Sequence, residues 1–180
     1  MSRTCPLTEE TVLYTECTEC DDRAACRTAA EKPVFALLVV GSRTVTDYDF
    51  VKEKIDQAIA PYRNSHKILI VSGGADGADS LAERYARENG LSMKVMKADW
   101  GKYGKRAGYI RNEQMHRFIA GYGRRGCLAF WDGKSRGTQH SFSLAEKFSN
   151  PTKVIMCANG TGANVPGPAT YVVNSAKENL

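Results

Sequence analysis

The sequence predicts an α/β fold, in which helices cover both faces of a doubly wound, mostly parallel sheet of about five or more strands. Short β-branched and aliphatic runs without polar alternation recur between residues 33 and 158, as expected for strands buried on both faces. Amphipathic stretches separate these runs, so strands and helices alternate along the chain. The 180 residues are 42% apolar and 25% charged, which is typical of a globular domain and excludes a disordered, fibrous or membrane chain.

Each predicted strand is a short run rich in Val, Ile, Leu or aromatic residues. The five runs are residues 34–40, 67–72, 93–96, 127–131 and 152–157, and residues 171–173 would add a short edge strand. The first run is the longest unbroken apolar stretch, and it is far shorter than the roughly 20 residues that a membrane-spanning helix needs. We therefore expect no membrane partner.

Four helices are predicted from apolar side chains that recur three or four residues apart. Asp47 is placed to cap the first helix, which carries its apolar side chains between residues 51 and 59 and stops at Pro61. His116 lies off the apolar stripe of the third helix, so we expect it at the surface. The remaining helices cover residues 78–89, 107–122 and 138–148.

By composition, the chain has three parts. Residues 1–32 form a cysteine-bearing amino-terminal extension with a net charge of −3, residues 33–158 form the α/β domain, and residues 159–180 form a tail rich in Gly and Pro. No basic segment followed by an apolar stretch opens the sequence, which argues against a signal peptide and predicts a cytoplasmic protein. A monomer and a homo-oligomer are both compatible with this organisation.

Four of the six cysteines lie in the amino-terminal extension, at Cys5, Cys17, Cys20 and Cys26. Two residues separate Cys17 from Cys20, as in many zinc sites, and four thiolates satisfy tetrahedral zinc. The other intervals are irregular, and free thiols are the alternative. A zinc site and free thiols are both compatible with these residues, and no defined organic cofactor is indicated.

Function is expected in the loops that follow the strands, because parallel sheets bind ligands beyond the carboxyl ends of their strands. Residues 72–79 form a loop with three glycines and two aspartates between a strand and a helix. Its glycines let backbone N–H groups turn toward a ligand beside a helix N-terminus, which suits a phosphate. Asp76 and Asp79 would accept hydrogen bonds from ribose hydroxyls, or cap the helix.

Positive charge is concentrated in residues 100–136, where nine basic residues accompany two acidic ones. This excess favours an anionic partner, either a nucleotide phosphate or a nucleic acid, and a solvated basic face is the alternative. Arg43 and Arg111 are placed to hold a phosphate. Trp100 and Tyr109 lie among the basic residues, where they would stack on a nucleobase or pack over the site.

Four motifs in order resemble the SLOG superfamily of Rossmann-like nucleotide-binding domains. They are residues 40–43, 72–79, 100–113 and 130–138, and the last two are similar to the small YspA-type branch. The resemblance covers about residues 33–157 and implies a pocket for a nucleotide or a nucleotide-derived ligand. The predicted ligand-binding residues are Gly41, Ser42, Arg43, Ser72, Gly73, Gly74, Asp76, Gly77, Asp79, Arg111, Asn112, Asp132, Gly133, Lys134, Ser135, Gly137 and Thr138.

The favoured hypothesis is a protein that binds such a ligand as a sensor or carrier. The first alternative is a nucleotide-processing hydrolase, similar to the phosphoribohydrolases of the superfamily, with Asp79 and Glu113 as candidate catalytic carboxylates. Those relatives carry the pattern G-G-x-G-T-x-x-E, but here neither its Thr nor its Glu follows Gly73, and Ser141 stands where that Glu would follow Thr138. The second alternative is a nucleic-acid-binding module that uses the basic residues 100–136.

Overall fold

The computed structural model describes residues 2–5, 11–13, 32–157 and 170–173. The chain divides into two compact units, Met1–Pro33 and Val34–Leu180. In the first unit, β1 (Ser2–Thr4) and β2 (Thr11–Leu13) pair as an antiparallel ladder with Ser2 opposite Leu13.

The second unit is built on a six-stranded sheet with the order β5-β4-β3-β6-β7-β8. The first five of these strands are parallel, and β8 pairs antiparallel with β7. The chain therefore runs outward in one direction from β3 through β4 to β5, and then in the other direction from β6 to β8. The strands are β3 (Val34–Gly41), β4 (Lys67–Ser72), β5 (Ser92–Val95), β6 (Arg124–Trp131), β7 (Thr152–Met156) and β8 (Thr170–Val173).

Helices cover both faces of this sheet, which confirms the predicted α/β, doubly wound, Rossmann-like fold class. Alternate residues of β3 point to opposite faces, as the pleat of a strand requires. The helices are α1 (Tyr48–Ile59), α2 (Ala78–Glu88), α3 (Trp100–Tyr103), α4 (Ala107–Ala120) and α5 (Arg136–Lys147). Across the described residues, no helix combines the length and the apolarity that crossing a membrane requires.

Each face of β3 has its own hydrophobic core. Leu37 is buried in a cluster with Ile55 of α1 and Tyr85 of α2. Leu38 points the other way, into a cluster with Met115 of α4. Since all five side chains are at most 1% exposed, both faces of the central strand are dry. This explains why its sequence shows no polar alternation.

The observed element boundaries follow from local capping and pairing. Asp47 caps α1 as predicted, because its Oδ1 accepts a hydrogen bond from the Phe50 N–H at 3.0 Å. Ser135 caps α5, which therefore begins two residues before the predicted start. The strand β6 starts at Arg124 rather than at Cys127, because its first residues pair with β3 from Phe35 onward.

The short helix α3 and the 3₁₀ turn at Gly104–Arg106 were not predicted. Asp99 caps α3, since its Oδ1 accepts from the Lys102 N–H at 2.9 Å. These two elements place Trp100 at the edge of the cavity described below.

His116 is fully buried, so the expectation that it lies at the surface is wrong. Beyond the sheet-facing stripe, α4 also contacts Asn150, which follows α5 and donates from Nδ2 to the His116 carbonyl at 3.0 Å. The same Asn150 nitrogen lies 3.2 Å from Nδ1 of the imidazole, while Nε2 is buried with no hydrogen-bond partner among the described residues. Burial lowers the pKa of His116 from 6.5 to about 4.

Candidate functional site

A cavity of about 380 Å³ lies beyond the carboxyl ends of β3 and β6. These two strands are neighbours at the point where the strand order reverses, which is where open α/β sheets place ligands. The volume falls within the usual range of small-molecule pockets, roughly 300–1,000 Å³. Its walls come from the loop after β3, from α3, α4 and the 3₁₀ turn between them, and from the loop and helix after β6.

Asp132 fixes the shape of the loop after β6. Its Oδ1 accepts from the N–H groups of Lys134 and Ser135 at 2.9 and 2.8 Å, and its Oδ2 accepts from the Thr44 hydroxyl at 3.0 Å. The Asp132 N–H in turn donates to the Ser42 hydroxyl at 3.1 Å, so the loops after β3 and β6 are joined. Partial burial raises the pKa of Asp132, but its hydrogen bonds outweigh burial and lower that pKa from 3.8 to about 2. Its carboxylate is therefore ionised throughout the physiological pH range.

The N-terminus of α5 enters the cavity. The Ser135 hydroxyl accepts from the Thr138 N–H at 3.3 Å and from the Thr138 hydroxyl at 3.0 Å, which closes the first turn. Gly137 lies on this turn with open space in front of it, since a side chain there would meet no atom within 4 Å. A helix N-terminus carries unpaired N–H groups and a partial positive charge, so this turn can hold an anion.

The glycine loop after β4 is arranged differently from the predicted phosphate cradle. The Asp79 Oδ2 accepts from the Gly73 N–H at 3.1 Å and from the Ala75 N–H at 3.5 Å, while the Gly74 N–H donates to the Ser72 hydroxyl at 3.1 Å. A carboxylate of the protein itself thus stands where a phosphate was expected.

Of the two roles expected of Asp79, the structure does not show the cap of α2, because Gly77 occupies the N-cap and no side chain makes a capping hydrogen bond. Asp79 is 3% exposed and lies in the first turn of the helix, turned back toward the preceding loop. Burial raises the pKa of Asp79 from 3.8 to about 6, against the opposing effects of Arg111 and the loop N–H groups.

Arg111 connects the glycine loop to α5. Its Nη1 donates to the Gly73 carbonyl and lies 3.6 Å from the Asp79 Oδ2, and its Nε donates to the Asn112 Oδ1 at 2.9 Å. The Asn112 Nδ2 continues the chain by donating to the Gly137 carbonyl at 3.0 Å. An ion pair and hydrogen bonds therefore link Asp79, Arg111, Asn112 and Gly137. Because the guanidinium is largely engaged with the protein, Arg111 acts first as a support for both loops.

Two glycines allow the loops around the cavity to pack backbone against backbone. A side chain at Gly41 would meet Ala78 and the Phe130 carbonyl. Gly77 has a φ of +81°, and a side chain there would meet the backbone of Ser42 and Arg43. The loops after β3 and β4 are therefore held at a separation that only glycine permits.

The structure brings most of the predicted ligand-binding residues to two adjoining cavities. The smaller cavity measures about 310 Å³ and is lined by Gly73, Gly74 and Asp76. Ser42, Ser72 and Gly77 support the loops through the contacts described above. Those that line the larger cavity are Gly41, Arg43, Asp79, Arg111, Asn112, Asp132, Ser135, Gly137 and Thr138.

Besides Ser42, Ser72 and Gly77, three further predicted residues are not among those that line either cavity. Gly133 and Lys134 lie in the turn before α5 and are exposed. Glu113 accepts from Lys147 at 2.9 Å and from Arg117 at 3.4 Å, so the structure does not bring this candidate catalytic carboxylate to the ligand. Its helix neighbours at 111 and 112 do line the larger cavity, because successive helix positions point in different directions.

Thr44, Lys105 and Ser141 line the larger cavity but were not among the predicted site residues. Thr44 directly follows Arg43, so its place in the first loop was a usable signal. Ser141 follows Gly137 by one helical turn, which puts both on one face of α5. Lys105 reaches the cavity from the 3₁₀ turn, which no sequence pattern had indicated.

The predicted zinc site lies largely outside the described residues, since Cys17, Cys20 and Cys26 are not among them. Cys5 is described and is half-buried. Within the described ranges, no three His, Cys, Asp or Glu side chains form a group that could hold a metal ion. Zinc at the amino-terminal cysteines stays a prediction.

Comparisons with known proteins match this chain to a family and to a phage protein. A model of the YspA, cpYpsA-related SLOG family matches residues 35–103. Gene 61 protein of Mycobacterium phage D29 is 36% identical over 120 residues, which cover 64% of this chain and 91% of that protein.

A solved structure from Methanocaldococcus jannaschii, described as a predicted subunit of tRNA methyltransferase, is 15% identical. It aligns with a TM-score of 0.34 over 73% of this chain and 72% of its own. The family match spans the loops after β3 and β4 and reaches α3, and the phage relative is similar over most of its length. The chain belongs to the YspA, cpYpsA-related SLOG family.

Proposed function

We propose that this protein binds a nucleotide or a nucleotide-derived ligand in the larger cavity, as a sensor or carrier. The observation that carries the proposal is the N-terminus of α5, which opens into this cavity at Gly137 where the strand order reverses. Membership of a nucleotide-related family supports the same ligand class.

The phosphate belongs at α5 rather than at the glycine loop. The first turn of α5 offers a partial positive charge and open space, and Lys105 and Arg43 line the same cavity. At the glycine loop, the Asp79 carboxylate already accepts from two N–H groups and would repel a phosphate. Trp100 and Tyr109 are 54% and 44% exposed, so they offer ring faces on which a base can stack.

Thermal denaturation with a panel of ribonucleoside mono- and diphosphates of all four bases tests the proposal. A ligand present at 100 times its Kd should stabilise the protein by about 2.7 kcal/mol. Absence of any shift across the panel would contradict small-ligand binding.

A glycine substitution then tests where the phosphate lies. Gly137→Val places a side chain in the open space at the first turn of α5, so the variant should fold and lose affinity at least about tenfold, the scale of one charge-assisted hydrogen bond. Gly123→Val is the matched control, since Gly123 is also free of contacts within 4 Å but lies outside the cavity. Equal nucleotide affinities in the two variants would show that the phosphate does not bind at the N-terminus of α5.

A nucleotide N-glycosidase is the second candidate function, and one observation favours it. Asp79 and Asp132 both line the larger cavity, and their environments move their pKa values in opposite directions, to about 6 and about 2. A carboxyl whose pKa lies near neutrality, in one cavity with a carboxylate that stays ionised, is the usual pairing for cleaving glycosidic bonds. Released base, measured after incubation with each nucleotide, would support this function, and release that persists in Asp79→Asn would exclude Asp79 as the acid.

A further inference from the structure

The smaller cavity lies beside the larger one and shares a wall with it. Arg43, Ala75, Trp100 and Arg111 line both cavities. With about 380 and about 310 Å³, each lies near the lower end of the usual size range of ligand pockets, and together they fall well inside it. The two spaces therefore adjoin. We call them together the groove, and we call the wall formed by the four shared residues the waist.

Cations that have no ion-pair partner among the described residues line this groove. Arg43 lies at the waist, Lys105 in the larger cavity and Lys97 in the smaller one. In the described part of the chain, none of these three takes part in an ion pair. Arg111, by contrast, is engaged with Asp79 and the Gly73 carbonyl. Three available cations exceed what one phosphate needs.

The two cavities differ in the groups that they offer. The larger has the N-terminus of α5 and the ring of Tyr109, which suit a nucleoside phosphate. The smaller has the carboxylate of Asp76 and the ammonium of Lys97 over an exposed Gly74. A carboxylate accepts hydrogen bonds from hydroxyl groups, and an ammonium donates to hydroxyl or phosphate oxygens. The smaller cavity therefore suits a hydroxyl-bearing group that is attached to a phosphate.

Trp100 lies at the waist, where its ring can contact a bound ligand. Its ring lies against Gly108 of α4, 3.5 Å from the position that a side chain there would take, and the residue is 54% exposed. A ligand that passes between the cavities would cover this ring and contact Arg43 on the shared wall.

We propose that the two cavities form one site for a two-part nucleotide, a nucleoside diphosphate that carries a second hydroxyl-bearing group. The nucleoside and its first phosphate occupy the larger cavity, with that phosphate at the N-terminus of α5. The second phosphate lies at the waist beside Arg43, and the second group lies beside Asp76 and Lys97. This inference rests on the proposed function, because it extends the ligand from the site described there.

Calorimetric titration with three matched probes tests the inference. They are the monophosphate, the diphosphate and the diphosphate–ribose adduct of one nucleoside, with the base chosen from the panel above. The adduct should bind at least about tenfold more tightly than the monophosphate and also more tightly than the diphosphate. A monophosphate or a diphosphate that binds as tightly as the adduct overturns the two-part ligand while the proposed function stands. No binding of any probe overturns the proposed function itself.

The substitution Lys97→Ala tests whether the second group of the ligand lies beside Lys97. This exposed side chain has no ion-pair partner in the described structure, so its removal should leave the fold intact. Affinity for the adduct should fall about tenfold, while affinity for the monophosphate stays within about twofold. Lys94→Ala is the matched control, since Lys94 is equally exposed on β5 but does not line either cavity. Equal losses for adduct and monophosphate in Lys97→Ala, or no loss for either, would overturn the placement.

Discussion

Two buried ionisable side chains give this protein opposing responses to pH. His116 has its pKa lowered to about 4 by burial, whereas burial raises the pKa of Asp79 to about 6. Folding therefore disfavours the charged form of each, but the histidine is charged at low pH and the aspartate at high pH.

For His116, stability is present above the unfolded pKa of 6.5 and is lost as the pH falls through 4. Between pH 7 and pH 4 this group should lower the free energy of unfolding by about 3 kcal/mol. In His116→Asn, which keeps an acceptor for Asn150, that loss should disappear. Urea denaturation at both pH values, compared between wild type and variant, measures it, and parallel pH profiles would contradict the assignment.

For Asp79, the sign is opposite. Its raised pKa means that stability is present below the unfolded value of 3.8 and is lost as the pH rises through 6. The stability of Asp79→Asn relative to wild type should therefore increase by about 2 kcal/mol between pH 4 and pH 7. The same denaturation series measures this change. A difference that is constant with pH would mean that folding does not raise the pKa of Asp79.

For individual residues, the sequence predicted which side chains belong to the site better than it predicted what those side chains contact. Asp79 was recognised as a site residue, but its partners were not, because a carboxylate that turns back to Gly73 leaves no periodic pattern. The burial of His116 escaped prediction because Asn150, 34 positions later, supplies the contact. Glu113 looked as available as any exposed acid, and only the fold shows Lys147 beside it.

Among the elements, the contact between the loops after β3 and β4 depends on one glycine. Gly77→Ala combines a positive φ with a clash against the backbone of Ser42 and Arg43, so it should cost about 2 kcal/mol or more of stability. Gly90→Ala is the matched control, since Gly90 has a φ of +61° but no atom within 4 Å of the added carbon, and it should cost about 1 kcal/mol. Thermal denaturation of both variants measures the difference. Equal costs would mean that the loops can separate freely.

The central strand β3 was predictable because its side chains are buried on both faces of the sheet. The run 34–40 lies in β3 and contacts apolar side chains on both faces, so its sequence reports its environment directly. By contrast, α3 has only four residues, and one of them is Gly101, which has a low helix propensity. Neither the length nor the composition of this segment therefore predicts a helix. The part of the cavity wall that Trp100 of α3 forms could therefore not be placed from sequence.

For the whole molecule, the basic excess of residues 100–136 can be tested against the proposed small ligand. Arg111, Arg117 and Arg125 are held by partners within the chain, so fewer cations remain for an extended anion than the sequence suggests. We expect nucleotide affinity to vary little with salt. A single-stranded oligonucleotide that contacts several cations would instead lose affinity with a slope of about −0.7 per phosphate contact. Titrations between low and high salt distinguish the two, and a steep slope with displacement of bound nucleotide would favour the nucleic-acid hypothesis.

The pairing of β3 with β6 also governs when the site can form during folding. Ser42 and Asp132, whose hydrogen bond joins the two loops of the cavity, are 90 positions apart in the chain. Contacts between residues so far apart in the sequence form slowly, because closing a long loop costs conformational entropy before any contact stabilises it. The β3–β4–β5 half uses shorter connections, so we expect it to fold first and to have no binding activity. Ligand binding during refolding should therefore appear with the slowest phase, as the last property that the chain acquires.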